Sequence, residues 1–416
     1  MSSPYLEVLR SPRLAAVLVL GFSSGLPLAL TGSTLQAWLT VAGLDIRTIA
    51  WFSWIGIPYL LKFLWSPALD RYVPPFLGRR RGWMLLTQLA LVLGIIAMGT
   101  ASPDNGIWTI GALALWVAFA SASQDIVVDA YRTDLLTAKE RGIGAAVGVL
   151  GYRVAMLASG GLALILADQI GWRSTYFIMA ALMGIGILTS LLAPEPAAPS
   201  DMPRTLGEAV AAPLKDFFSR PGAVSLLLLI ILYKFGDALA GTLTTAFLIR
   251  GVGFNLTEVG LVNKWLGFAS LITGAVVGGM LMTNMSLVRA LLFFGVLQAV
   301  SNLSFAVLAW IGKSYALLVF TVAFENLASG MGTAAFVALA MALCNNRFSA
   351  TQYALLSALA SLGRIAFGPA TGEMVVLMDW AGFFILTFFA ALPGLWLVWL
   401  LRKEIAATEA GAPAQA

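Results

Sequence analysis

Asp125 and Asp129 stand four residues apart in the stretch "SASQDIVVDAYRTD", which places both carboxylates on one face of a helix. The run before them, "WTIGALALWVAFA", is apolar enough to lie in lipid, where an unpaired carboxylate costs several kcal/mol. A chain that keeps two there pairs them, opens them to water, or uses them to take up and release protons. Asp237 and Glu325 lie in equally apolar surroundings, so these four carboxylates are the candidate proton carriers. Five cations share that setting: Lys62, Arg153, Lys234, Lys264 and Arg364. Buried cations in both halves of the chain suit an anionic or zwitterionic solute. Gln124, Tyr152, Asn263 and Asn326 add uncharged hydrogen-bonding groups, either for a solute rich in hydroxyls and amides or as glue between helices.

Other chemistries are excluded by what the chain lacks. It has no histidine, so imidazole-ligated metals, Ser-His-Asp triads and imidazole proton shuttles are ruled out. Its one cysteine, Cys344, can form no internal disulfide. No phosphate-binding glycine loop or metal-ligand spacing is present, so no cofactor, no metal and no ATP-driven step is expected. No nucleophile–base constellation supports an enzyme. With 60% hydrophobic and only 11% charged residues, and a mean hydropathy of +0.89, the chain is an integral membrane protein.

Twelve apolar segments of spanning length position these residues. They lie at 14–33, 47–68, 82–101, 107–132, 142–166, 173–193, 223–248, 257–283, 287–310, 314–343, 351–376 and 380–401. The longest polar interruption, 194–222, divides a six-helix bundle at 1–193 from a second at 223–402, and leaves a tail at 403–416 that is expected to be disordered. Of the 25 basic residues, five lie within segments, sixteen in one set of loops and tails, and four in the opposite set. That asymmetry puts both termini and the linker in the cytoplasm and makes nucleic acid an unneeded explanation of the positive charge. The halves also repeat: "FSSGLPLALTGSTL" from Phe22 matches "YKFGDALAGTLTTA" from Tyr233, and "VLGYR" ending at Arg153 matches "SLGR" ending at Arg364, both at an offset of 211. A same-direction repeat of half the chain implies an all-α fold of two pseudo-symmetric six-helix bundles. This is the major facilitator architecture, with solute held near mid-membrane.

Depth separates the charges. Asp125 lies seven residues before Arg132, roughly 10 Å below the cytoplasmic surface, and Lys62 eight before Asp70, roughly 12 Å below it, so the two are at similar depth. They either neutralise each other as a structural pair, or Asp125 faces a cavity and alternates its protonation. Asp129 is nearer the surface, where a salt bridge to the basic loop is expected. Asp70, Arg71, Arg79, Arg80 and Arg81 in that loop are the candidate cytoplasmic gate. Pro27 is expected to kink the first segment, and the glycines of "GFSSGLP", "SGGLALILA" and "NLASGMGTAA" to mark close helix packing. Trp38, Trp51 and Trp54 read as an interfacial belt, with stacking on a sugar as the other reading.

Five long strings carry a resemblance. "GFSSGLPLALTGSTLQAWL", "KFLWSPALDRYVPPFLGRRRGW", "SASQDIVVDAYRTDLL", "YKFGDALAGTLTTAFLIRGVGF" and "FENLASGMGTAAFVALAMALCN" are similar to those of the AmpG muropeptide permeases, over nearly the whole chain. The loop motif "ALDR…GRRR" departs from the common superfamily form in its "WSP" and "VPPFL", as AmpG relatives do and, more loosely, acetyl-CoA transporters. The resemblance implies proton-driven import of anhydro-muropeptides from periplasm to cytoplasm in wall recycling, through a monomer among inner-membrane lipids, and thereby induction of β-lactamase. Enterobacterial relatives carry two more helices after the twelfth, which bears on regulation or assembly. A carrier of another anionic solute such as acetyl-CoA, and a non-transporting receptor on the same fold, are the alternatives.

Overall fold

A backbone surrounded by hydrocarbon has to satisfy its own N–H and C=O groups, and for an apolar chain without a closed barrel the helix is the solution. The structure, a computed structural model, describes residues 11–103, 106–136, 141–196, 222–343 and 349–409, together with Lys215, Phe218 and Ser219. Among the described residues all regular structure is helical. Most of the 194–222 linker and Cys344 lie outside the described residues.

Among the described residues ten helices are long and apolar enough to cross a membrane: Pro12–Val41, Arg79–Thr100, Ile107–Leu135, Val147–Ile170, Trp172–Leu192, Ala223–Gly251, Leu256–Met282, Leu287–Ile311, Tyr315–Ala342 and Leu362–Leu400. The difference from twelve has two physical causes. The second segment is no single helix but a chain of short pieces, Ile46–Trp51, Phe52–Gly56, Ile57–Leu61, Lys62–Leu64 and Ser66–Arg71. Pro58 and Pro67, which lack an N–H, each restart a helix there. The last two segments run on as Ser349–Leu400, divided where Asp379 takes a left-handed φ of 58°. We number the spans 1 to 12 in chain order, the second being 46–71 and the eleventh and twelfth lying either side of Asp379.

The chain forms two compact units. The first comprises the described residues of Met1–Gly43, Ile55–Met202 and Asn255–Gly260, the second those of Leu44–Trp54, Pro203–Phe254 and Leu261–Ala416. The start of span 2 is therefore built into the second unit and the start of span 8 into the first. Leu44 and Asn255, where these pieces begin, are 211 residues apart (255 − 44), which is the offset of the repeat. In the second unit Arg47 pairs with Glu373 at 2.8 Å, and in the first the Thr257 hydroxyl donates to Asp168 at 2.5 Å.

Within each unit glycines set the closest approaches. In the first, Gly21 abuts the backbone of Gly148, and Gly25 that of Tyr152, between spans 1 and 5. In the second, Gly274 faces the Leu327 carbonyl and Gly330 the Leu271 carbonyl, between spans 8 and 10. Span 1 runs helical through Pro27 and breaks only at Gly32, while the Thr31 hydroxyl donates to the Pro27 and Leu28 carbonyls at 3.2 and 3.3 Å. The tail does not begin at 403: Arg402–Glu409 is helical, because Ile405 is buried in the same core as Leu397 and Leu401.

Two glycines of span 8 make a matched test. A methyl on Gly274 collides with backbone, whereas one on Gly279 meets nothing within 4 Å. Gly274→Ala is expected to cost about 1–3 kcal/mol and lower the unfolding midpoint in detergent, while Gly279→Ala leaves it unchanged or raised. Equal midpoints for the two variants would refute the close packing of spans 8 and 10.

Candidate functional site

In the first unit the polar cluster is built on spans 1, 2, 4 and 5. Asp125 is 9% exposed and accepts a hydrogen bond from the Ser24 hydroxyl. Among the described residues no ion pair joins it to Lys62; Lys62 and Asp129 act on it through space. The direct structural pair, one of the two readings of the sequence, is thus absent among the described residues, and Lys62 stands on a 3-10 turn between two short helices of span 2. Tyr152 is half-buried, with Asp125, Tyr59, Arg153 and Asp129 as its electrostatic neighbours. A cleft of about 190 Å³ is lined by Ser24, Asp129, Arg132 and Tyr152 among others, and so runs from the hydroxyl that holds Asp125 toward the basic end of span 4. Asp129 itself pairs with Arg132 one turn on, at 3.0 Å. Gln124, fully buried behind Asp125, donates to the Ser23 hydroxyl at 3.1 Å.

In the second unit a larger cluster joins spans 7, 8, 9 and 10. Span 7 breaks at Lys234, whose ammonium donates to Thr333 at 3.0 Å and lies 3.9 Å from Asp237. Asp237 accepts from Gln298 and from Ser329, the latter at 3.4 Å. One turn before Ser329, Glu325 accepts from the Asn326 amide at 2.6 Å, and Asp237, Lys234 and Lys264 act on it through space. Lys264 and Asn263 stand on a π-helical stretch, Val259–Leu266, in span 8. Widened turns of this kind re-aim side chains and are common at functional sites.

The arginines of the basic loop have structural work of their own. Arg80 and Arg79 pair with Asp134 at the end of span 4, at 2.8 and 3.5 Å. Arg81 donates to the carbonyls of Ser190 and Leu191 at the end of span 6. Glu195 accepts from the backbone N–H groups of Arg80 and Arg81, at 2.8 and 3.0 Å. A carboxylate at the start of span 3 meets both its unpaired donors and the positive end of its dipole. Gly78, at φ +83°, turns into span 3 and leaves room for Glu195; a Cβ in its place would strike that carboxylate. Arg71 is exposed, and the side chain of Asp70 lies outside the described residues.

Residues 14–365 match the model of the Major Facilitator Superfamily. An anhydromuropeptide permease of Escherichia coli K12 is 55% identical over 406 residues, covering 97% of this chain and 83% of its own. Rickettsia felis has a putative transporter, AmpG 4, that is 34% identical over 96% of this chain and 99% of its own. The chain belongs to the AmpG permease family of the major facilitator superfamily. The fold of this AmpG-family member also resembles that of a POT family transporter solved with 5-aminolevulinic acid, with a TM-score of 0.75 at 12% identity, covering 94% and 96% of the two chains. It is a multi-pass membrane transporter and not an enzyme.

In this AmpG-family transporter the remaining sequence-derived residues scatter. Arg153 is exposed, its guanidinium beside the Met156 sulfur at 3.9 Å, and Arg364 is exposed on span 11. Trp38 is no belt residue: it is 6% exposed and stacks on Trp172 at 5.7 Å in the core of the first unit. Trp51 and Trp54 are exposed and meet edge to face. Sequence reasoning passed over Ser24, Ser329, Thr333, Asp134 and Glu195. The first three lie in Gly-containing stretches whose small residues signal close packing. The last two sit at helix ends, where acidic residues read as solvated.

Removing the charge at Glu195 tests the tie at span 3. Glu195→Gln is expected to cost roughly 0.5–2 kcal/mol, seen as a lower unfolding midpoint that converges with wild type as salt is raised. A midpoint equal to wild type at low salt would show that the carboxylate adds nothing.

Proposed function

We propose that this transporter imports anhydro-muropeptides, N-acetylglucosaminyl-1,6-anhydro-N-acetylmuramic acid with or without its stem peptide, from periplasm to cytoplasm by proton symport. The observation that carries the cargo is the 55% identity over 97% of the chain to the Escherichia coli permease whose name states it. The polar clusters support the reading chemically. Sugar hydroxyls and acetamido groups suit Gln124, Asn263, Asn326 and Tyr152, and the cargo's carboxylates suit Lys62, Lys234, Lys264, Arg153 and Arg364. The asymmetry of sixteen basic residues against four supports both termini in the cytoplasm, and the likeness to the Escherichia coli permease supports a monomer in the bacterial inner membrane among its lipids. Delivery of these wall fragments to the cytoplasm then feeds peptidoglycan recycling and β-lactamase induction.

Coupling centres on Asp125. Its partner is a neutral hydroxyl that donates to the carboxylate and accepts from the acid, so both protonation states are accommodated. The cleft from Ser24 to Asp129 gives the proton a way out at the basic end of span 4. Asp237 and Glu325 are the further candidates in the second unit. Because Arg79, Arg80 and Arg81 are engaged with Asp134 and the end of span 6, the gate proposal narrows to Asp70 and Arg71.

Uptake of labelled anhydro-muropeptide into proteoliposomes, with and without an inward proton gradient, tests the function. The gradient is expected to drive accumulation, and uptake of acetyl-CoA in its place would overturn the cargo. In the same assay Asp125→Asn is expected to abolish uphill accumulation while exchange of labelled for unlabelled cargo persists. Full uphill transport by that variant would remove Asp125 from the coupling mechanism.

A further inference from the structure

The cleft of the first unit is walled by an ion pair that is only half made. Arg132 touches Asp129 through one nitrogen and one oxygen, Nη2 and Oδ1, at 3.0 Å. A guanidinium carries five N–H donors and a carboxylate two oxygens, so each group has capacity left over. Among the described residues Arg132 makes no other hydrogen bond, and the second oxygen of Asp129 accepts none. Tyr152, which lines the cleft from span 5, makes no hydrogen bond among them either. The charged side chains are open to approach, Asp129 at 58% exposed and Arg132 at 30%. Gly148 helps to hold the guanidinium there: a Cβ on it would lie 3.0 Å from the Arg132 Nη1, so the arginine rests against bare backbone of span 5.

The rest of the lining restricts what can enter. Val17, Leu20, Val128 and Val149 are apolar, and the Ser24 hydroxyl is engaged with Asp125. The cleft's volume of about 190 Å³ is more than ten times the ~10–15 Å³ that admits one water, so a group of several heavy atoms fits. An anion alone would draw Arg132 away and leave Asp129 uncompensated, and a cation alone would do the reverse. A group that carries both signs on neighbouring atoms exchanges one ion pair for two, with no change in net charge.

We propose that this cleft binds a zwitterionic amino-acid group of the cargo, its ammonium on Asp129 and its carboxylate on Arg132. The proposal rests on the cargo reading above and narrows it to one chemical form of the stem peptide. The sugars and the lactyl carboxylate supply no cation, and the amino end of the stem is used in its amide link to the lactyl group. An ammonium beside a carboxylate remains where the stem contains a diamino dicarboxylic acid, whose side chain ends in both. Cross-linking through that amine turns the ammonium into an amide and leaves the carboxylate alone. The cleft therefore distinguishes an uncross-linked stem from a cross-linked one, a choice that contacts to the sugars, identical in both, cannot make.

The test is calorimetry on purified wild-type protein in detergent with three compounds: the bare disaccharide, the disaccharide bearing a stem with a free diamino-acid end, and the same peptide form N-acetylated on that amine. The free form is expected to bind about tenfold to a hundredfold more tightly than the acetylated one. Asp129→Asn should erase that preference. Val149→Trp, which adds bulk at a 53% exposed position of the wall, should shrink it with both charges in place, so a folding defect in the first variant leaves the site testable. Equal affinity for the free and acetylated forms on wild-type protein, or a preference that survives undiminished in either folded variant, would overturn the proposal while the cargo assignment stands. Binding of none of the three compounds would instead overturn the cargo assignment.

Discussion

A carboxylate taken from water into a helix bundle loses hydration worth several kcal/mol, and the packing of this protein is arranged around giving part of it back. The compensation comes mainly from uncharged donors: Ser24 for Asp125, Gln298 and Ser329 for Asp237, Asn326 for Glu325. Fixed ion pairs would hold each carboxylate in one protonation state. Hydroxyls and amides with cations standing further off leave the charged and neutral forms closer in energy, which a proton carrier requires. The glycines make this possible. A Cβ at Gly332 would strike the Gln298 side chain, and one at Gly267 would press on the Asn326 amide at 3.1 Å. At Gly186 a Cβ would displace Ser23, the residue that receives Gln124. The small residues thus bring helices together and also leave room for the side chains that hold the buried charges.

The sequence made the charges themselves legible, because a Lys or Asp in an apolar run is visible without coordinates. It also showed the spans, the repeat, and the i,i+3 neighbours Lys234 and Asp237, since all three depend on local periodicity. What it hid was long-range. Ser24 and Asp125 are 101 residues apart, and Gln298 and Asp237 are 61 apart, so nothing in either local stretch announces the other. Asp134 and Glu195 escaped notice for a different reason: an acidic residue at a helix end looks solvated until the arginines and backbone donors facing it are placed. Span 2 reads as one apolar segment, yet Pro58 and Pro67 divide it into short helices.

The irregular stretches deserve a common explanation. A 3-10 segment over Phe52–Gly56 and a π-helical one over Val259–Leu266 fall on overlapping positions of the repeat, since 52 plus 211 is 263. One winds the backbone tighter and the other looser, yet both carry a lysine on the same span, Lys62 a few residues after the first and Lys264 inside the second. Spans 5 and 7 also give up regular winding, at Ala158–Leu162 and Phe247–Gly251, but spans 2 and 8 do so near one position of the repeat, and among the described residues these two each carry a lysine that no carboxylate pairs with directly.

The exchange of segments between the two units has a consequence for how the protein is made. Leu44–Trp54 leaves the ribosome well before span 11, yet Arg47 finds its partner in Glu373, 326 residues later (373 − 47). The first unit is likewise incomplete until Asn255–Gly260 has been synthesised. The first unit can therefore be completed only once the chain has passed Gly260, and the start of span 2 waits in the membrane until Glu373 has been made. A gene cut in the linker would yield two fragments that each lack a piece of their own unit and hold a piece of the other's.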